Sequence, residues 1–325
     1  MRLIGQALAR IAKAVALVLF IATVNFALVH SAPGDPALVM AGQSGASDQK
    51  YLDQLRAEYG LDRPVASQLA TYLGKTLRFD LGFSHRQRRP VLDLILERLP
   101  ATLLLTGAAF ALALFGGVLL GTLAGVRAGS IADLGITILS LVLYAAPLFW
   151  VGLMLVILFS VQLGWLPAFG YETVGAGYAG LRRALDVAAH LVLPAVTLGL
   201  FYLAVYARLM RASIIEVSGQ DYIKTARAKG LPEGRIIRSH MLRNALLPVI
   251  TIAGVQAGTL VGGSIVVETV FAWPGLGRLT FDAVLQRDYP VLLGVFLVMS
   301  VLVIAFNLLT DLIYRLVDPR IGAPA

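Results

Sequence analysis

The sequence contains no cysteine in 325 residues, which excludes disulfide frameworks, thiol catalysis and Cys-ligated metals whatever the compartment. Histidine is scarce: His30, His85, His190 and His240 are scattered, and none has a metal-ligand spacing to another histidine or a carboxylate partner. No catalytic residue, metal or cofactor is expected. Charged residues make up only 14% of the chain and are absent from the centres of its apolar runs. Ion-coupled transport usually keeps ionisable groups inside the bundle, because buried charge is costly there and retained for function. A secondary transporter or channel is the alternative reading, but without an internal proton carrier the energy source belongs outside the membrane. A nucleotide site is missing as well. Gly74-Lys75-Thr76 matches the end of a phosphate loop, but position 69 is Leu where the motif needs glycine.

What the sequence does have is apolar length. It is 58% hydrophobic with mean hydropathy +0.79, and its apolar runs are too long for soluble core helices. A hydrocarbon core about 30 Å thick needs about 20 apolar residues per helix. The runs give six spans and an all-α integral membrane protein. The first occupies residues 14–29, extending back through Ala7, Leu8 and Ile11, and is read as a retained helix rather than a cleaved leader. The others are 101–126, 134–163, 191–207, 244–267 and 291–314. The domains expected are 1–32, an N-terminal transmembrane helix; 33–98, an external segment; 99–316, a core of five helices; and 317–325, a cytoplasmic tail. In the external segment, residues 52–59 read as a helix closed by Gly60. Val91, Leu92, Ile95 and Leu99 share one face of a short amphipathic helix leading into the second span. The loop 164–190, with Trp165, Phe169, Tyr171 and Tyr178, suits an outer interfacial belt.

With Arg2, Arg10 and Lys13 inside, both termini are cytoplasmic, and so is the polar stretch 208–243. That stretch holds eight Lys or Arg and three acids, as cytoplasmic loops do. The net charge of +8 is topological by this reading and needs no nucleic acid. Within the stretch, Ser218 and Asp221 make a capping-box-like pair, and Tyr222, Ile223, Ala226 and Gly230 fall on one side of a short helix. Gly230 suits the left-handed residue that ends it, Pro232 starts a second helix, and Ile237, Met241 and Ala245 stack along that helix. The small residues Ala226 and Gly230 leave a face that fits a groove on a partner protein. A loop lying on anionic lipid is the blander reading of the same residues.

DYIKTARAKGL at Asp221 to Leu231, followed by RSHMLRNALLP at Arg238 to Pro248, resembles the cytoplasmic coupling loop of the inner-membrane permeases of bacterial ABC importers, in the peptide and nickel branch. Further patches match the same branch in order and spacing: PGDP at Pro33, GLDRP at Gly60, DLGFS at Asp80, ERLPATLLL at Glu97, FAWPGLG at Phe271 and DPR at Asp318. The likeness spans nearly the whole chain. It departs from the general Glu-Ala-Ala motif, since Lys224, Thr225 and Ala226 stand there and only the last alanine is kept.

The resemblance implies a type I importer permease in the bacterial inner membrane. It implies a second homologous permease subunit, two ABC ATPase subunits on the cytoplasmic side and an external substrate-binding protein. It also implies ATPase contacts at Asp221, Ala226, Arg227, Lys229, Gly230 and Leu231, and an outer surface near substrate entry at Glu268, Phe271, Pro274, Gly275 and Gly277. The isolated chain is expected to hydrolyse no ATP. Phosphate release from purified chain, after removal of every partner, checks this.

Overall fold

A computed structural model describes residues 2–31 and 62–317. The helix expected at 52–59 and the patches at Pro33 and Asp318 lie outside the described residues. In chain order the elements are α1 (Arg2–Ser31), α2 (Val65–Thr76), the strands β1 (Phe83–Ser84) and β2 (Arg89–Pro90), α3 (Val91–Val126), α4 (Ile131–Ala145) and α5 (Leu148–Leu155). A π-helical turn, Val156–Gln162, extends α5. Then come α6 (Gly180–Ser218), α7 (Asp221–Ala228), α8 (Glu233–Arg235) with its π-helical continuation Ile236–Met241, α9 (Leu242–Val270), α10 (Leu276–Gln286) and α11 (Tyr289–Val317).

Among the described residues, three helical segments are long and apolar enough to cross a bilayer: Val91–Val126, Gly180–Ser218 and Tyr289–Leu308. The number rises to five if each of two bent pairs is one span. The expected third span, 134–163, is broken. α4 and α5 meet at 108°, because Pro147 drives the preceding Ala146 into extended backbone (ψ 135°). The second span is longer than expected, since α3 runs unbroken from Val91 and absorbs the separate amphipathic helix. The fourth is longer too: α6 begins at Gly180, inside the expected loop 164–190. At 39 residues it extends about 58 Å at 1.5 Å per residue, so both ends leave the hydrocarbon. In α1 the apolar stretch is Ala12–Leu28.

The chain divides into two units, Met1–Pro100 with Leu279–Ile304, and Ala101–Arg278 with Ala305–Ala325. In the first, β1 and β2 pair antiparallel with Phe83 opposite Pro90, and the Ser84 hydroxyl donates to the buried Asp288 carboxylate. Asp288 also starts α11, accepting from Val291 N, as Asp-x-Pro at a helix entry leads one to expect. Phe26 of α1 stacks on Tyr72 of α2 at 5.7 Å between ring centroids, and His30 and Gln68 meet at 3.0 Å.

The second unit is held along one seam. Leu105, Ala109 and Ala113 are each fully buried, and Gly117, Gly121 and Gly125 continue the same four-residue spacing along one face of α3. Against them lie Leu203, Tyr206, Ala207, Met210 and Ile214 of α6. A Cβ on Gly117 would stand 2.6 Å from Tyr206 Cβ, and one on Gly121 would stand 2.4 Å from the Ala207 carbonyl oxygen. Without a hydrophobic drive between helices in lipid, such small-residue seams let backbones approach and gain dispersion energy. The larger apolar residues of α3, such as Phe115 (73% exposed) and Leu119 (62%), point away from the unit. Gly121→Val is expected to destabilise the chain by about 1–3 kcal/mol, because Ala207 presents backbone that cannot rotate aside. A lowered thermal midpoint in detergent, with Phe115→Val nearly silent, checks it.

Candidate functional site: a basic elbow and a carboxylate-centred turn

The first candidate region is the elbow between α6 and α9. Ser218 ends α6 and donates to Ile215 O at 2.7 Å, so it does not cap α7, whose preceding residue is Gln220 with no side-chain cap. The expected capping pair with Asp221 is therefore not formed. Asp221 instead pairs with Lys224 at 2.9 Å on the outside of the helix, its own side chain 96% exposed. Ile223 and Ala226 face inward, at 0% and 6% exposure, and join the cluster containing Met210, Ile236 and Met241. Ala226, expected as a partner contact, thus seats α7 on its own bundle. The small residue presented outward is Ala228, beside exposed Thr225, Lys229 and Gly230.

Gly230 has φ +75°, a conformation that only glycine adopts freely, and its N–H closes the helix by donating to Arg227 O at 2.9 Å. Pro232 precedes α8 as expected. Arg227 reaches back to Glu233 at 2.7 Å, with both side chains about half exposed, and this pair clamps the two short helices together. The residue beneath them is Ile236, not Ile237: the π-helical turn makes the buried spacing Ile236, Met241, Ala245, five and then four residues. Tyr222 OH accepts from Asn244 Nδ2 at 2.8 Å, tying α7 to α9. Behind the elbow lies a cavity of about 390 Å³ bordered by Val126, Ile215, Ser218, Arg227, Glu233 and Met241.

One tie near the elbow was not expected from sequence. Asp133, at the start of α4, is buried, and both its oxygens take hydrogen bonds from the Arg211 guanidinium of α6, the Nη2 contact at 2.8 Å. Gly129 N also donates to it, at 2.9 Å. This bidentate pair fixes the tight turn after α3 to the helix that carries the elbow. The sequence signal was a lone Asp at the start of an apolar run, with an Arg near the end of another.

The second candidate region, Glu268 to Gly277, is not the surface that was expected. Glu268 is fully buried and Phe271 is 1% exposed; Gly275 and Gly277 are buried, and of the five expected residues only Pro274 is part-exposed. The Glu268 carboxylate accepts from Thr102 Oγ1 (2.8 Å), Ser264 Oγ (3.1 Å) and Arg278 N (3.0 Å). Thr102 Oγ1 in turn accepts from Leu276 N at 2.7 Å. Trp273, fully buried, donates its indole N–H to Ala101 O at 2.8 Å. The turn therefore wraps a carboxyl group. A side chain at Gly275 would stand 2.3 Å from the carboxylate carbon, so the glycine is what lets backbone sit on it. Ala272 is left-handed (φ 52°) and is held there by Arg278 Nη1 donating to its carbonyl at 2.8 Å. Gly170 N donates to Phe271 O at 2.9 Å and Tyr171 packs on Trp273, so the loop after α5 is anchored on the same turn. Trp165 and Phe169 of that loop are exposed.

A long-helix membrane fold with a basic helical elbow defines the class: the chain belongs to the family of binding-protein-dependent transport system inner membrane components. The family's description matches residues 117–323, and its N-terminal companion matches residues 3–106. Within it, the chain is 43% identical over 320 residues to the dipeptide transport system permease protein DppB of Escherichia coli (strain K12), covering 93% of this chain and 94% of that protein. It is 41% identical to a putative peptide transport system permease protein of Brucella suis biovar 1, covering 97% of this chain and 98% of that one. The di/tripeptide transport system permease protein DppB of Pseudomonas aeruginosa is 41% identical as well, over 91% and 92% of the two chains.

Among solved structures, the MetNI methionine ABC transporter in an inward-facing conformation shares the fold. The TM-score is 0.55 at 21% identity, over 70% of this chain and 97% of that chain. The protein is thus the non-catalytic, multi-pass permease subunit of an ABC importer of the bacterial inner membrane.

Glu268→Gln is expected to lower stability by about 1–3 kcal/mol, because the new amide N–H₂ faces groups that themselves donate. Thermal unfolding in detergent checks this, and Glu268→Asp, too short to reach all its partners, should fall between.

Proposed function

We propose that this subunit forms half of the translocation path for peptides or a related small solute, by alternating access driven by partner ATPases. The relatives named above are permeases of a dipeptide, a di/tripeptide and a putative peptide transport system, and the likeness to them runs nearly end to end. Six spans follow if α1, α3, the bent α4–α5 pair, α6, the segment from α8 through α9 with its bend inside α9, and α11 each cross once. Four crossings, an even number, then lie between the N-terminus and the elbow, and two more between the elbow and the C-terminus, which puts both termini and the elbow in the cytoplasm. A second homologous permease completes the path, two ATPases sit beneath the pair, and an external binding protein delivers the solute. The domains at 1–32, 33–98, 99–316 and 317–325 keep their expected roles in this scheme.

The observation that carries the reading is the build of the elbow. Its inner face, Ile223 and Ala226, is packed on the bundle, while its outer face, Asp221, Lys224, Ala228, Lys229 and Gly230, is left to solvent. A short helix so mounted transmits a push: its axis is pinned to α6 and α9 by core packing and by Tyr222–Asn244, and to α8 by Arg227–Glu233. Closure of the ATPases on the outer face moves α6, and through Arg211–Asp133 the start of α4. The docking contacts are Asp221, Arg227, Lys229, Gly230 and Leu231, with Ala226 acting from behind.

Gly230→Asn tests this without confounding strain, because Asn tolerates the left-handed conformation and a Cβ there meets no atom within 4 Å. With Lys229→Glu added, solute uptake into vesicles holding the complete transporter is expected to fall about tenfold or more, the loss of one interface anchor. The amount of inserted chain should stay unchanged. Normal uptake with normal ATPase association would sink the docking assignment.

A further inference from the structure

Three buried polar atoms of the second unit have no hydrogen-bond partner among the described residues: Ser160 Oγ lies on the π-helical turn after α5, and the other two are the Tyr206 hydroxyl and the Gln256 side-chain carbonyl oxygen. Tyr206 is 0% exposed. Buried polar atoms in native proteins are nearly always paired, so each exception has a reason. Tyr206 and Gln256 sit on α6 and α9, which run antiparallel because the elbow joins the end of one to the start of the other. The level of the pair can be read from a contact nearby. The Tyr202 hydroxyl lies beside the Thr259 hydroxyl, and Thr259 Oγ1 donates to the Gln256 main-chain oxygen at 2.9 Å. From that level toward the elbow, Tyr206 is one turn along α6 and Gln256 one turn along α9, displacements of about 6 and 4.5 Å. These two orphaned groups therefore share a level of the bundle.

Their chemistry is complementary to one kind of ligand. A phenol can donate one hydrogen bond, and an amide carbonyl oxygen can only accept. Together they present a donor and an acceptor to a group that carries one of each, as a peptide unit does with its C=O and N–H. This level also reaches the surface of the chain, since Thr259 is exposed and Val255 beside it is 62% exposed. No charged residue lies between Thr251 and Val267 of α9 or between Leu191 and Ala207 of α6. A neutral pair holds a passing solute loosely enough to let it leave.

We propose that Tyr206 and Gln256 are solute-contacting residues of the translocation path, taking the C=O and N–H of one peptide unit as it passes, with Tyr202 and Thr259 one turn nearer the outer end. This rests on the peptide-transport reading above. The test uses the complete transporter in proteoliposomes with its binding protein and a radiolabelled dipeptide, reading uptake and ATP hydrolysis in the same vesicles. Tyr206→Phe removes one oxygen that has no partner, so insertion and assembly are retained; Gln256→Leu removes the acceptor. Each variant is expected to keep ATP hydrolysis stimulated by the loaded binding protein while dipeptide delivered per ATP falls about tenfold, the loss of one hydrogen bond to the solute. Unchanged delivery in both variants, with Tyr206→Phe raising the thermal midpoint, overturns the proposal and leaves an unpaired or water-bonded hydroxyl. A wild-type complex that couples ATP to another solute but imports no dipeptide overturns the peptide reading itself, and that result is seen before any variant is made.

Discussion

Close approach of α3 and α6 is the constraint on which the second unit depends. In lipid the chain gains nothing from hiding one apolar helix against another, so the association must come from contact area at short range. The line Leu105, Ala109, Ala113, Gly117, Gly121, Gly125 supplies it, shrinking from leucine to glycine toward the elbow. At Gly121 the space for a methyl group is already filled by the backbone of α6. Because the seam tightens toward the elbow, α6 is held most rigidly where it has to carry α7. Core packing and a few directed polar ties then continue the rigid body through the elbow into α9.

Polar groups in this protein are few, and they are used where the path of the chain has to be specified. Asp133 with Arg211 fixes the turn after α3, and Glu268 organises the turn after α9. In each case an ionised or ionisable side chain is surrounded by donors, as burial of such a group requires. The second case inverts the expectation for its residues. A Trp-Pro-Gly turn between spans reads as exposed, but here its glycines and indole close around a carboxylate and its outer contribution is limited to Pro274. The turn anchors the loop after α5 through Gly170 and Tyr171.

The elbow joins these features to transport. It has two faces: Ile223 and Ala226 attach it to the bundle, and the charged residues Asp221, Lys224 and Lys229 lie on the exposed one. Glycine at position 230 ends α7 sharply enough for α8 to turn back beside it, and the Arg227–Glu233 pair closes the angle. The π-helical turn that follows inserts one extra residue per turn, and so rotates the second helix until Ile236 points inward.

Composition and apolar length were enough to establish a helical membrane protein. The order of short motifs named its family, because those are one-dimensional properties of the chain. Gly230 and Pro232 were legible for the same reason: a left-handed residue and a missing donor act on their own neighbours. The break at Pro147 was equally local, yet it was hidden by hydropathy, which averages over the one residue that matters. The inward face of Ala226, the burial of Glu268, the partner of Asp133 and the shared level of Tyr206 and Gln256 depended on tertiary structure. Each is set by which helix packs beside which, at what depth and with what rotation, and in spans apolar nearly all round no periodicity records that choice.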